Sequence, residues 1–168
     1  FLLILIGMEA GFGEVAAGIG IVYLCRGFGS GFGPMVARPL MAMPRVMPYL
    51  IGFALVGSGL LYIGVSTFEW GMLTLVCIFF SHGCSGVSWV FSTTLLQRRS
   101  DNEWMGRVAG TDSLVITLTM GVSTIFAGLA MEHEVVTLRE MLLITAGIQI
   151  SVGMLWLLLA SPGERSYM

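Results

Sequence analysis

The sequence predicts an all-α integral membrane protein built as an antiparallel bundle of transmembrane helices, and two observations support this. Hydrophobic residues make up 56% of the 168 residues and charged residues only 11%, whereas soluble domains carry roughly 25% charged residues. Several apolar stretches are also long enough to cross a bilayer, which takes about 20 residues at 1.5 Å each. A soluble protein could not cover such a core with so few charges.

The composition also excludes several other classes of protein. Three cysteines without paired spacing do not form an extracellular disulfide scaffold. The chain contains no lysine and has a net charge of −2, so it offers no basic face and nucleic acid is not an expected partner. The high hydrophobicity excludes intrinsic disorder.

The first two apolar runs differ in length. Residues 1–8 open on Phe1 and lack the basic region and cleavage site of a signal peptide. We therefore expect the end of a truncated spanning helix, preceded by chain that this sequence lacks. Residues 15–37 form the next predicted span, with one charge, Arg26, near the centre.

Four further apolar stretches complete the predicted bundle of one partial and five full helices. These spans are residues 47–65, 72–97, 108–131 and 141–161. Prolines 39 and 44 break the chain between the second and third helices, because proline cannot continue a helix. All connections are short, so consecutive helices should run antiparallel.

The arginines predict the orientation of the bundle in the membrane. Alternate connections and the C-terminal segment place six of the eight on one side: Arg38, Arg45, Arg98, Arg99, Arg107 and Arg165. Only Arg139 lies on the other side. Cytoplasmic loops are enriched in Lys and Arg, so this side and the C-terminus should be cytoplasmic.

Glycines on the second helix predict close helix packing. Gly27 with Gly31, and Gly29 with Gly33, are small-xxx-small pairs that let two helix backbones approach. The two pairs lie on different faces, so we expect tight packing on both sides. The glycines also make bending possible, which would suit a moving part; close packing alone is the other interpretation.

Small or polar residues form stripes on the last three helices. The stripes consist of Ser81, Ser85, Ser88 and Ser92; of Gly110, Ser113, Thr117, Gly121, Thr124 and Gly128; and of Thr145, Gln149, Gly153 and Trp156. Such a stripe faces either a neighbouring helix or a water-filled cavity. Gln149 is the most informative member, because a buried amide needs several hydrogen-bond partners.

Arg26 is the most unusual ionisable residue of the chain. Arginine at the centre of a spanning helix costs about 2.5–3.5 kcal/mol on insertion scales, so we expect a partner. Glu9, Glu14 or residues absent from this sequence are candidates. A structural ion pair and a role in substrate or proton movement both remain open.

Two other ionisable residues lie within predicted spans. Asp112 is about one turn inside its helix, where it could pair with nearby arginines or take part in gating, and a ligand site is the alternative. His82 lies in mid-span and is expected to be a hydrogen-bonded core histidine or part of a polar pathway. Cys84 lies on the opposite face, so no metal site or cofactor is expected, and no catalytic motif is present.

Two segments resemble the major facilitator superfamily of transporters. Residues 20–34 (GIVYLCRGFGSGFGP) resemble its eighth helix. Residues 94–97 (TLLQ) with 106–110 (GRVAG) resemble the cytoplasmic turn between helices ten and eleven of the drug- and siderophore-exporter branch, the enterobactin-exporter-like group. Ser100 stands where proline is common in that turn, and Met105 where arginine is common.

The resemblance implies that the chain is the C-terminal six-helix half of that fold, from late helix seven to helix twelve. Two such halves rock about a site near the midplane, so the missing N-terminal half would be a partner. The expected activity is proton-coupled export of a small molecule across a bacterial inner membrane. Arg26, His82 and Gln149 would then line the substrate or proton pathway.

The resemblance also implies a cytoplasmic gate. The residues expected there are Arg38, Asp112, Gly106 and Arg107. Residues 33–38 echo the superfamily's signature loop, but Ala37 replaces its acidic residue. Arg38 would therefore need another acid, and Asp112 is the candidate.

Two other classes of function remain as alternatives. A non-transporting membrane subunit or assembly factor would need only the packed glycine faces. An intramembrane enzyme would need convergent catalytic groups, which the sequence does not show. Six further spans with an intact signature loop upstream of Phe1 would favour the transporter.

Overall fold

The computed structural model describes residues 1–160, and every regular element in this range is helical, as the sequence predicts. The six α-helices are α1 (Leu2–Glu9), α2 (Val15–Ala37), α3 (Met47–Thr67), α4 (Met72–Arg99), α5 (Met105–Glu132) and α6 (Leu138–Leu155). Two 3₁₀ turns, Arg38–Ala42 and Pro44–Val46, join α2 to α3, and a π-helical turn, Trp156–Ala160, follows α6. Helices α2 to α6, with their adjoining turns, are long and apolar enough to cross a membrane, which confirms the prediction of several transmembrane helices.

Apart from the end of α6, the helix ends differ from the predicted spans by up to three residues. Helix α6 begins at Leu138 rather than at residue 141, because Thr137 and Glu140 form a capping box. The Thr137 backbone N–H donates to Glu140 Oε2 (2.7 Å), and the Glu140 N–H donates to Thr137 Oγ1 (3.3 Å). These bonds satisfy amide groups that a helix start leaves free. The predicted end at Ser161 lies outside the described residues.

Helices α2, α3, α4 and α6 form the packed part of the bundle. Helix α4 packs against both α2 and α3, α3 also packs against α6, and α1 lies against α2 and touches α6. A small hydrophobic cluster joins the start of α3 to the end of α4, and its buried residues are Met47, Ile51, Phe91 and Leu95. Lipid is as apolar as these side chains, so van der Waals contact and hydrogen bonds hold such helices together.

The backbones of α2 and α4 touch at glycines. A Cβ added to Gly29 would overlap the Phe79 carbonyl oxygen, and one added to Gly33 would overlap the carbonyl oxygen of Gly83. A Cβ on Gly86 would in turn overlap the carbonyl oxygen of Ser30. Only glycine allows this approach, as expected of a small-xxx-small contact.

The other glycine pair of α2 has a different environment. No atom of the described residues lies within 4 Å of a Cβ built on Gly27 or Gly31. Their face is an apolar groove of about 600 Å³ lined by Leu24, Gly27, Phe28, Gly31, Phe32 and Met35. The expectation of tight packing on both faces is therefore met on one face only within residues 1–160.

The three predicted stripes also differ. On α6, Gly153 is buried against α3, and Trp156 Nε1 donates to the Pro48 carbonyl oxygen (2.7 Å), so this stripe faces a helix. Of the four serines in the α4 stripe, only Ser81 is buried. No residue of α5 is buried, so no helix within residues 1–160 packs closely over the α5 stripe.

Two arginines hold helix ends together on opposite sides of the bundle. Arg139 donates to the carbonyl oxygens of Ser66 and Phe68 at the end of α3, and its guanidinium lies 4.3 Å from the centre of the Trp70 ring. Arg98, at the end of α4, donates to the Met41 carbonyl oxygen (3.4 Å) in the 3₁₀ turn. These contacts connect the loops to the bundle.

Candidate functional site

Helix contacts bring the polar side chains of the packed bundle to a similar depth. Gly29 lies beside Phe79, Ser58 beside Ser81, and Gly59 beside Ala146. At 1.5 Å per residue, this register places a set of polar residues within about two helical turns of one another along the bundle. We call this set the polar layer: Arg26, Ser58, Tyr62, Ser81, His82 and Gln149.

Two serines form the enclosed part of the polar layer. The hydroxyl groups of Ser58 on α3 and Ser81 on α4 lie 2.9 Å apart, and both side chains are buried. Ser81 Oγ also lies 3.3 Å from the Ser58 carbonyl oxygen. This pair satisfies both hydroxyl groups and connects α3 to α4 where water cannot reach.

Tyr62 and His82 form a second polar contact between the same helices. Tyr62 Oη lies 3.2 Å from His82 Nε2, and the two rings meet nearly edge to face with centroids 6.1 Å apart. The imidazole tautomer decides which atom donates. His82 is half-buried, while Tyr62 is 8% exposed, so this hydrogen bond lies at the margin of the packed core.

His82 and Cys84 do not converge on a metal position. Cys84 points toward α3, where its Sγ lies 3.4 Å from a Cβ built on Gly57. Within residues 1–160, no group of three His, Cys, Asp or Glu side chains could hold a metal ion.

Arg26 lies in the middle of α2, and its side chain is exposed on the surface of the bundle. Its guanidinium carbon is 5.4 Å from the centre of the Tyr23 ring, one turn earlier. The contact between Gly29 and Phe79 places Arg26 at a similar depth to the Tyr62–His82 hydrogen bond. Glu9 and Glu14 lie near the N-terminal end of α2 and form no ion pair with Arg26.

Gln149 contributes an enclosed acceptor from α6. The side chain is half-buried, and its Oε1 atom has no hydrogen-bond partner among residues 1–160. A shielded amide oxygen without a partner is unfavourable by about 1–3 kcal/mol. This position therefore favours a donor from outside the described residues.

The four residues expected at a cytoplasmic gate do not form one cluster in the structure. Arg38 caps the end of α2, and no ion pair joins it to Asp112, whose side chain is exposed. The Arg107 guanidinium instead lies 4.7 Å from the centre of the Trp104 ring in its own loop. Gly106 lies beside it, and a Cβ built there meets no atom within 4 Å.

The sequence did not point to Tyr62 or Ser58, although both hold other members of the polar layer. They lie four residues apart on an otherwise apolar helix and so share one face. The four-residue spacing of these two polar side chains is the sequence signal that could have predicted a polar face on α3. Their partners, His82 and Ser81, are 20 and 23 residues away and are defined only by helix packing.

The chain matches no protein-family model, no curated protein sequence and no solved structure.

Proposed function

We propose that the protein is a secondary active transporter that exports a small molecule by alternating access, with proton coupling. One observation carries the proposal. Arg26 is a permanent charge at mid-depth of a spanning helix, exposed on the bundle surface at a similar depth to Tyr62 and His82, with no carboxylate within 4 Å in residues 1–160.

The exposure of Arg26 is incompatible with a lipid-facing surface. Charged side chains in spanning helices face the bundle interior or a water-filled cavity, because hydrocarbon solvates them poorly. In the proposed function this face of α2 lines a central cavity. The Tyr62–His82 hydrogen bond and Gln149 supply neutral polar groups at similar depth, and His82 is the residue proposed to carry the proton.

The resemblance of residues 20–34 and 94–110 to the major facilitator superfamily gives the proposal its architecture. The chain would be the C-terminal half, and a preceding half of the same protein would form the other cavity wall. The C-terminus would be cytoplasmic, in a bacterial inner membrane. Arg38, Asp112, Gly106 and Arg107 would meet at the cytoplasmic gate in one state of the transport cycle.

Cysteine accessibility in the full-length protein tests this proposal. The native cysteines Cys25, Cys77 and Cys84 are replaced, and Arg26→Cys is treated with a membrane-impermeant thiol reagent from either side of oriented vesicles. We expect modification from both sides, because alternating access opens the cavity to each in turn. The matched control is Ile148→Cys, which lies at similar depth on the exposed face of α6.

The control defines the contradicting result. Ile148 should face lipid, so a cysteine there should stay unmodified from both sides. If the cysteine at position 26 reacts no faster than the one at 148, or reacts from one side only, an alternating-access cavity at Arg26 is refuted.

A non-transporting subunit or assembly factor is the second candidate function. The open groove beside Gly27 and Gly31 and the unburied α5 favour it, because both would suit packing against other helices. For such a protein, position 26 should be closed to the reagent from both sides.

A further inference from the structure

The acidic residues of the chain are distributed so that none can neutralise Arg26 at its own depth. Within residues 1–160, all of them except Asp112 lie in connections or in the first or last turn of a helix. These are Glu9, Glu14, Glu69, Asp101, Glu103, Glu132, Glu134 and Glu140. Glu164 lies outside the described residues.

Asp112 does not neutralise the guanidinium either. It lies two turns inside the cytoplasmic end of α5, whereas Arg26 lies about three turns from the cytoplasmic end of α2. The Asp112 side chain is exposed on an unburied helix, and no ion pair joins the two residues. The counter-charge of Arg26 therefore comes from outside this part of the chain.

The surroundings of Arg26 suit an oxyanion. Its guanidinium lies over the Tyr23 ring, and the polar side chains that the bundle places at a similar depth, Tyr62 and His82, include no carboxylate. A guanidinium binds carboxylate, sulfonate or phosphate oxygens through two parallel hydrogen bonds. Because the side chain is exposed on the α2 face that the proposed function assigns to the cavity, an anion can reach the guanidinium directly.

We propose that Arg26 is the recognition group for an anionic small molecule, which presents a carboxylate or similar oxyanion to the guanidinium. This inference rests on the proposed transporter function and names its substrate class. The alternative is an acid elsewhere in the full-length protein that pairs with Arg26 permanently, and the experiment below distinguishes the two.

Three probes that share one fluorophore test the charge preference on the full-length protein in lipid nanodiscs. Dansylglycine carries a carboxylate, dansylamide is neutral and dansylcadaverine carries an ammonium group. We expect dansylglycine to bind at least about tenfold more tightly than the other two, which corresponds to about 1.4 kcal/mol. Fluorescence titration measures each Kd.

Variants at two arginines assign the preference to one side chain. Arg26→Gln should abolish the preference for dansylglycine, and Arg26→Lys should keep part of it, since lysine retains the charge but loses the bidentate geometry. Arg45→Gln is the matched control, because it removes the same charge from an exposed position in the 3₁₀ turn. It should bind like the wild type, and size-exclusion chromatography checks that every variant is folded.

Equal affinity for the three probes, no binding of any probe, or a preference that survives Arg26→Gln would each overturn the inference. Failure of this inference is distinct from failure of the transporter proposal. Access of thiol reagent from both sides without an anion preference refutes the inference alone. An anion preference without such access refutes alternating access and keeps the anion site.

Discussion

Helix α2 carries two small-xxx-small pairs, and the structure gives them opposite environments. Gly29 and Gly33 touch the backbone of α4, whereas Gly27 and Gly31 border an open groove. The residue type, the spacing and the host helix are the same. The difference shows that the pattern permits close approach but does not specify which face another helix covers.

Helix α5 supports the same conclusion. It has a longer stripe of small residues than α2, yet none of its residues is buried. A stripe of small residues therefore allows a second helix to approach closely. Whether one does depends on whether the neighbouring helix also has small residues that let its backbone come near. In the α2–α4 contact these residues are Gly83 and Gly86.

The largest expected effect comes from breaking the packed face with Gly33→Ala. The new methyl group would overlap the backbone carbonyl oxygen of Gly83. A backbone atom cannot move aside by rotating a side chain, so α2 and α4 must separate. We expect a loss of about 1–3 kcal/mol in the free energy of unfolding. Unfolding of the full-length protein in mixed micelles by a denaturing detergent measures the loss, and unchanged stability would contradict the α2–α4 contact.

A smaller effect is expected on the other face of α4, where a hydrogen bond joins it to α3. Ser81→Ala leaves the buried Ser58 hydroxyl without its partner, so stability should fall by about 1 kcal/mol. Ser85→Ala is the control, since this serine is on the same helix and exposed. Equal effects of the two substitutions in the same unfolding assay would show that the buried pair adds no stability.

The smallest effect, and one of opposite sign, is expected on the open face. Gly31→Ala adds a methyl group where no atom of residues 1–160 lies within 4 Å, so only helix propensity changes among these residues. Alanine is favoured over glycine inside a helix by up to about 1 kcal/mol. Unfolding should therefore show unchanged or slightly raised stability, and a clear loss would mean that this groove is occupied in the membrane.

The sequence was sufficient to predict the helices because each is encoded locally by about 20 apolar residues. It also identified Arg26, since a single charge within a long apolar run needs no tertiary information to be recognised. The early start of α6 was missed because the Thr137–Glu140 capping box lies before the apolar run. The spacing of Thr137 and Glu140 is the sequence pattern of a capping box, and it would have predicted the start of α6.

The contacts between helices could not be predicted in the same way. Both glycine pairs of α2 have the spacing of a packing motif, so sequence alone cannot choose between them. The hydrogen bond between Tyr62 and His82 depends on how α3 and α4 are aligned along their lengths. That alignment results from side-chain and backbone fit over the whole interface, which no local pattern records.

The contact between α2 and α4 has a consequence for how the protein is made. Arg26 lies in the middle of α2 and makes entry of this helix into the bilayer from the translocon less favourable. Synthesis proceeds from the N-terminus, so α3 is complete before α4 emerges to receive the glycine face of α2. The glycine face of α2 therefore gains its main partner only after α4 has been translated, and the last residue of α4, Arg99, lies 62 residues after Ala37 at the end of α2.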